Sequence, residues 1–534
     1  MYKYSKNLKI AALCGGVLFA STANAFIVGW GDGTFRDAAA VAAAGISGDV
    51  LYYGAANMTF DMNADLNIYK IRPFPGSDGN NTLTFRFDDQ NRTLNIAYMD
   101  NEPDDKSGIP NPNVGNFTYS FEGENGTVNF NNGMNIPSLK TTDGNAIAEQ
   151  VWNFGSFYGD VNLAKGVVVR DKTDLIFNNF NFSTGTRSIS VTNGSFTAMN
   201  VKTVGKLGDI TVVDGKVDIK SEDTSSNGTS FDGSVITASG NSIVNIELNK
   251  KPTDNYEQSG AVVNASGTSQ VTLTVASWTR GSYFTVDDGA TLTFNNVNAF
   301  KTEISRSEFK DGSTVTLNAR NVWFYGKDTH EWGSATGTKV ATVNVNSTEE
   351  MKVIGDATLI INKNVDANIK SVIGLYQASK LVLNGNNVIN KDGGSQKDNL
   401  ELKFYGKDAS LVLGAANDIY SIAFDNDAAA TIKLNGNKFS FQCFYELAGS
   451  ILYFDEFEDG LVTYEMFGDL DLSTNEDGSL KYIKGIVGGN VIDLMAISNV
   501  AGSYDIVSSV PEPSTYAAIF GVLALAFVAY RRRK

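Results

Sequence analysis

A short unit recurs through the second half of the chain: a turn carrying Asp, Gly, Ala or Ser, followed by an alternating apolar triplet. It reads GATLTF at Leu292, GSTVTL at Val315, DATLII at Leu359, ASKLVL at Leu381, DASLVL at Leu411 and AATIKL at Ile432, with weaker versions at Val217, Val244 and Val271. Steps between the first apolar residues are 27, 27, 21 and 23 up to Val315, then 44, read as two steps of 22, then 22, 30 and 21. A repeat of this length cannot bury its apolar face alone and must stack on its neighbours. Alternation with period two makes the stacked elements strands. The expected fold is therefore all-β, with a right-handed parallel β-helix as its body. Rung length varies because loops between strands lengthen without disturbing the stack. Asn384-Gly385-Asn386 and Asn435-Gly436-Asn437 follow two of the triplets, and Asn and Gly tolerate the positive φ that tight corners need. The same dipeptide closes hairpins, so an antiparallel β-sandwich array is the competing architecture. The β-helix is preferred because successive repeats resemble one another at one rung length rather than as paired hairpins.

Between residues 140 and 510 the only proline is Pro252, and no Ser/Gly linker interrupts the chain. The solenoid body is assigned to 151–440. Residues 26–150 are richer in Met, Pro and aromatics and are assigned as an N-terminal β-rich cap, with TLTFRF (82–87) and TLNIAYM (93–99) read as a hairpin across 88–92. Phe- and Tyr-rich strands such as SILYFDEF (450–457) mark 441–505 as a C-terminal β cap. One amphipathic helix is expected at 35–44, stopped by Gly45.

Both termini carry segments distinct from the body. Residues 1–25 combine Lys3, Lys6 and Lys9 with an apolar run over 10–20 and Ala23-Asn24-Ala25, the pattern of a signal peptide cleaved after Ala25. Cys14 follows Leu13 inside the apolar run, which does not make a lipobox. At the other end, 506–534 holds Val510, the rigid Pro511-Glu512-Pro513, an apolar run over 517–530, then Arg531, Arg532, Arg533 and Lys534. The prolines bias Val510 and Glu512 toward extended backbone. The apolar run is compatible with a single transmembrane helix whose four terminal cations stay cytoplasmic. It is short against the roughly 20 residues of a comfortable span, and a plain tail anchor is the other reading.

This tail resembles the PEP-CTERM sorting signal of Gram-negative-type bacteria, in the order PEP, short membrane helix, basic cluster. The resemblance covers the last 25 residues and carries no information about the fold upstream. It implies an exosortase, a membrane-embedded cysteine transpeptidase, as partner, with the helix removed near Pro511–Pro513. The Sec translocon and signal peptidase are the partners expected at the N-terminus, and residence in the inner membrane is transient.

Loss of both ends leaves 36 basic against 58 acidic residues, a net charge near −22. Nucleic acid is not an expected partner, since phosphate recognition rests on clustered Lys and Arg. Cys443 is then the one remaining cysteine, and its neighbours FSFQCFYEL suit a packed thiol in a buried strand. The lone histidine, His330 in GKDTHEWGS, is read as solvated in a polar loop and excludes chemistry that needs two imidazoles. Asp88-Asp89, Asp104-Asp105 and Asp287-Asp288 are adjacent pairs that point to opposite strand faces, so they read as turn acids rather than a general acid and base. Asp61, Asn63, Asp65 and Asn67 mimic the start of an EF-hand loop, but Leu66 and Arg72 stand where Gly and Glu are needed. No cofactor is expected. Weak Ca²⁺ binding is the one cation reading left, at Asp455, Glu456, Glu458 and Asp459 or at Asn475-Glu476-Asp477-Gly478. Trp152, Trp278, Trp323 and Trp332 fit either sugar stacking or core packing.

Together these features describe an exported, exosortase-processed protein of the cell surface or extracellular matrix. Its expected role is a non-enzymatic scaffold or adhesin with extracellular polysaccharide as partner. The alternative is a polysaccharide-degrading β-helix lyase or hydrolase. Three or more Asp, Glu, Arg or Lys converging in one groove would favour the enzyme. A polar Asn/Thr/Ser ladder without such a cluster would favour the scaffold.

Overall fold

Alternation in the sequence becomes one-sided burial in space. In Lys216–Ser221, Ile243–Leu248, Gln270–Val275 and Thr291–Asn296, every second residue is buried and the residues between face outward. The structure, a computed structural model, describes residues 8–13, 16–21, 25–28, 37–44, 50–53, 58–73, 80–88, 90–100, 116–122, 126–130, 134–136, 150–156, 160–163, 167–170, 173–178, 181–182, 188–199, 202–203, 207–221, 230–249, 257–287, 289–296, 301–310, 312–390, 400–425, 427–465, 471–499, 502–509, 521–522, 525 and 531. The chain is all-β and contains a β-solenoid of about 12 turns, distributed over two units, residues 1–299 and 300–534. Equivalent strands of successive rungs pair in parallel, which disposes of the antiparallel sandwich array.

In the first unit each rung supplies up to three strands. Thr173–Asn178, Asn181–Phe182 and Ser188–Thr192 make one rung, and Ser195–Met199 begins the next by pairing in parallel with Thr173–Asn178. The repeat then stacks in register: Val217 lies beside Val244, Val244 beside Val271, and Val271 beside Leu292. Their side chains form a continuous apolar ladder with essentially no exposure. Aromatic residues stack in the same way nearer the N-terminus, where the Phe60–Phe85 and Phe85–Phe121 ring centroids are 5.9 and 5.7 Å apart. Each such pair contributes about 0.5–1.5 kcal/mol beyond its area burial.

The hairpin expected across 88–92 is not formed. Asn80–Phe87 pairs in parallel with Met58–Met62 and Asn116–Glu122, while Arg92–Asp100 pairs in parallel with Leu66–Pro73 and Gly126–Phe130. The two strands thus belong to different faces of one rung. Asp88 makes the corner between them: its carboxylate accepts from Gln90 N at 3.0 Å and from Arg92 Nε at 3.1 Å. The segment expected to cap the body is therefore built of rungs itself. The apolar face beside Met58–Met62 is covered by the one helix expected, Ala38–Ala43. Asp37 caps it by accepting from Ala40 N at 2.7 Å, and Ala38 and Val41 are buried against the first strands. Asp37 also bridges Asp61 in parallel, so the helix follows a ladder position and replaces a further strand.

In the second unit the rung is again three strands: Ala341–Gly355 spans two, Thr358–Ile361 is the third, and Val365–Ile369, Val372–Leu375 and Lys380–Leu383 repeat them. Leu359, Leu381, Leu411 and Ile432 stand on one another in register, as the repeat predicts. Val315 does not belong with them. It pairs with Val343 on another ladder, and the residue below Leu359 is His330, 29 positions upstream. The step of 44 is therefore not two rungs of 22; any inward strand of a rung can show the same triplet. The expected positive φ occurs at Asn435 and Gly436 (φ 49° and 72°), but at the other corner it falls on Asn387 (φ 46°).

After Val487 the chain changes direction. Ile483–Val487 still stacks in parallel on Ile451–Asp455, then pairs antiparallel with Asn490–Ser498, which pairs antiparallel with Tyr504–Ser508. At the N-terminus, Leu8–Leu13 and Gly16–Ser21 pair antiparallel with each other in a separate two-stranded sheet. Among the described residues no helix is long and apolar enough to cross a membrane.

Leu381 tests the inward assignment, because it is fully buried between Leu359 and Leu411. Leu381→Ala should cost about 2–5 kcal/mol. Lys380→Ala, exposed on the same strand, should stay within about 0.5 kcal/mol. Urea denaturation midpoints at constant slope measure both, and equal losses would contradict this packing.

Candidate functional site

Most residues singled out by sequence have structural work in the fold. Asp61 pairs with Arg86, Asn63 Oδ1 accepts from Ala39 N at 2.9 Å, and Asp65 Oδ1 accepts from Thr93 N at 2.9 Å. The EF-like stretch thus ties neighbouring rungs together and does not converge on an ion. Glu456 pairs with Lys433 at 2.9 Å, Asp459 Oδ1 accepts from Ser508 N at 2.7 Å, and Asp477 Oδ1 accepts from Ser479 N at 3.0 Å. No group of three or more His, Cys, Asp or Glu among the described residues is arranged to hold a metal ion. Asp89, Asp104, Asp105, Asp288 and the Trp152 side chain lie outside the described residues, as do Ala23, Val510, Pro511, Glu512, Pro513, Arg532, Arg533 and Lys534. Ala25 opens the strand Ala25–Val28, and Arg531 is helical and exposed. Cys443 is free and half-buried on Phe439–Tyr445.

His330 departs from expectation. It is fully buried, at the ladder position that Leu359 occupies one rung later. Its Nδ1 lies 3.1 Å from Ser307 Oγ, which also accepts from Trp332 Nε1 at 3.3 Å, and its ring meets Phe324 edge-on at 5.1 Å. Trp332 is likewise fully buried, stacked on Phe309 at 5.9 Å. This is a core cluster, and Ser307 and His330 are both closed to a substrate. Polar flanks (Asp328, Thr329, Glu331) disguised the position in the sequence.

Outward positions form polar ladders. Asn95 donates to Asn67 at 2.7 Å and Asn129 to Asn95 at 2.6 Å. In the second unit Asn368 donates to Asn344 at 2.9 Å, Asn344 to Thr316 at 3.3 Å, Asn346 to Asn318 at 2.7 Å, and Asn384 to Asn362 at 2.9 Å. A carboxamide both donates and accepts, so stacked copies satisfy one another along the ladder.

One outward ladder of the second unit is different. Glu303, Trp323, Lys352, Gly374 and Lys403 succeed one another rung by rung. Lys301 Nζ sits 4.7 Å from the Trp323 ring centroid and 3.7 Å from the Glu303 carboxylate. Lys352 Nζ lies 5.4 Å from Trp323, 4.8 Å from Tyr376 and 3.1 Å from Glu350. Tyr376 and Tyr405 stack at 4.0 Å, nearly parallel, and Lys403 Nζ lies 4.6 Å from Tyr405. Tyr376 donates its hydroxyl to Glu350 Oε2 at 3.1 Å. A Cβ on Gly374 would overlap the Glu350 carboxylate and press on the Tyr376 ring, so only glycine leaves these two side chains the room they occupy. The lysine and glutamate side chains of the first two ion pairs are only 5–19% exposed.

Two groups of this ladder are held away from neutrality. Burial, then the Tyr405 hydrogen bond and the Glu350 charge, push Tyr376 far above the usual phenol range. Burial would lower Lys403, but the Tyr405 hydrogen bond and the Asp425 carboxylate outweigh it and hold the ammonium above its ordinary value. Of this cluster the sequence had flagged only Trp323. The signal for the rest was spacing in multiples of a rung, which needs the register to be known.

No family model matches the chain, and no curated protein or solved structure is significantly similar to it. The reading of the site therefore rests on its own geometry.

His330 generates a pH dependence. Burial lowers its pKa from 6.5 to about 4, partly opposed by the Tyr325 backbone. Folding favours the neutral imidazole, so the contribution is complete above about pH 6.5 and is lost as pH falls through 4, about 3 kcal/mol in all. The stability difference between the wild type and His330→Leu, measured by urea denaturation from pH 7 to 4, should shift by that order toward the variant. A difference constant with pH would contradict the buried neutral state.

Proposed function

We propose that the chain is an exported structural or adhesive protein of the cell surface or extracellular matrix, a β-solenoid scaffold released from the membrane by an exosortase. The observation that carries this is where the ladders start and stop. The first laddered strand begins at Ala25, the proposed cleavage site, and the last ends at Ser508, two residues before Val510. The strands upstream of Ala25 pair only with each other among the described residues. Among the described residues, the proposed N-terminal signal thus enters the parallel stack only at Ala25, its last residue. In the same reading the solenoid is right-handed, the C-terminal apolar run is a transient membrane helix in the inner membrane, and extracellular polysaccharide is the partner. The self-satisfied asparagine ladders support a passive, rigid role.

A polysaccharide lyase or hydrolase is the second reading, favoured by the convergence of Lys301, Glu303, Glu350, Lys352 and Lys403. It ranks second because general acid–base work needs pKa values near the working pH, whereas Tyr376 and Lys403 are both shifted away from neutrality.

Intact-mass measurement and cell fractionation of the native protein test the leading reading. The mature chain should begin at Phe26 and lack the apolar run and Arg531–Lys534. Substituting both Pro511 and Pro513 by Ala should leave an unprocessed form in the inner membrane. A native mature protein that retains its full C-terminus would sink the proposal.

A further inference from the structure

The charged and aromatic ladder of the second unit is expensive for a purely structural face. Removing two ion pairs from water costs more than their attraction returns unless every remaining polar atom is matched. That condition is not met: Glu350 Oε2 takes both Lys352 and Tyr376, while Oε1, buried over Gly374, has no hydrogen-bond partner among the described residues. The neighbouring polar ladders show how the same rungs are built when stability alone is at stake, with each Asn satisfied by the next.

We propose that this face, around Trp323, Lys352, Tyr376 and Lys403, is a binding site for a neutral glycan chain lying along the stack of rungs. Three features select that ligand. Outward groups recur once per rung, about 4.8 Å apart, close to the length of one hexose in an extended chain. Trp323, Lys352 and Lys403 present a partner to successive sugar residues, and at the Gly374 rung between the two lysines the Glu350 and Tyr376 side chains fill the place of the missing one. Half-buried aromatic edges, two ammonium donors and a carboxylate set side by side are the complement of a sugar's apolar faces and hydroxyls. The third feature is charge balance. Lys301, Lys352 and Lys403 are each matched by a carboxylate within 4 Å, from Glu303, Glu350 and Asp425, in a chain of net charge −16. An acidic polymer gains no net attraction from such a face. The site gives the scaffold's proposed glycan contact a location and rests on that reading only for the class of partner. Binding by the purified protein and sorting in the cell can each fail without the other.

The test is isothermal titration of the purified full chain with soluble β-1,4-, β-1,3- and α-1,4-linked neutral hexasaccharides, with polygalacturonate as the acidic comparison and tryptophan fluorescence read in parallel. At least one neutral hexasaccharide should bind, with a Kd between about 1 μM and 1 mM. Lys403→Met should weaken it by about tenfold or more without moving the thermal midpoint, and Gly374→Val, which displaces Glu350 and Tyr376 and lowers the midpoint, should weaken it at least as much. Lys433→Met, which removes an outward lysine on a different ladder, should leave it unchanged. Binding of polygalacturonate alone, no binding by any neutral hexasaccharide, or equal weakening by Lys433→Met would each overturn the proposal.

Discussion

In-register parallel stacking is the interaction on which everything else here depends. Each strand is hydrogen-bonded to its equivalents one rung before and after it, about 4.8 Å away. Every side chain consequently sits on the side chain of the same ladder position. What one rung tolerates is decided by its neighbours: Leu on Leu extends a core, and Asn on Asn extends a hydrogen-bonded ladder. Like charges on successive rungs would repel across the shortest separation in the molecule. The lysine-bearing ladder avoids this by placing Gly374 between Lys352 and Lys403 and giving each lysine a carboxylate and an aromatic ring.

The stacking also determines how much could be read from sequence. Leu359, Leu381, Leu411 and Ile432 were legible because each carries the same turn and triplet, and rung length there varies only from 21 to 30 residues. Val315 was misassigned because the triplet marks an inward strand without saying which ladder it occupies. The strands around Asp88 were misread for a related reason: alternation looks alike in a hairpin and in a stack, and the Asp88–Arg92 corner that separates them is a matter of side-chain geometry. His330 was hidden by polar neighbours that all face outward around it. The candidate site was illegible as a whole, since Trp323, Lys352 and Lys403 are 29 and 51 residues apart and meet only when rung lengths are known.

The same logic separates the two polar faces of the second unit. Asparagine ladders spend nothing on charge, and each carboxamide donates to the one on the rung before it. The face around Gly374 breaks that economy within a few rungs, with charges drawn out of water and a carboxylate oxygen without a donor. Departures from local consistency in an otherwise regular fold concentrate where a surface has something to bind.

The outermost rung of a parallel stack has an unpaired edge, a template for unwanted strand addition, and the first rungs of the first unit and the last rungs of the second are each closed in their own way. At its start, the helix Ala38–Ala43 follows Asp37 out of the ladder and covers the first strands with Ala38 and Val41. At its finish, the chain reverses: Asn490–Ser498 and Tyr504–Ser508 pair antiparallel, and Ser509 N still donates to Asp493. An antiparallel turn-back ends the repeat, because the next rung has no strand of matching direction to receive it. Ser508 is the last strand residue of this closure, so among the described residues a cut at 511–513 would remove no paired strand. The proposed processing step would therefore leave the solenoid's stability where it was.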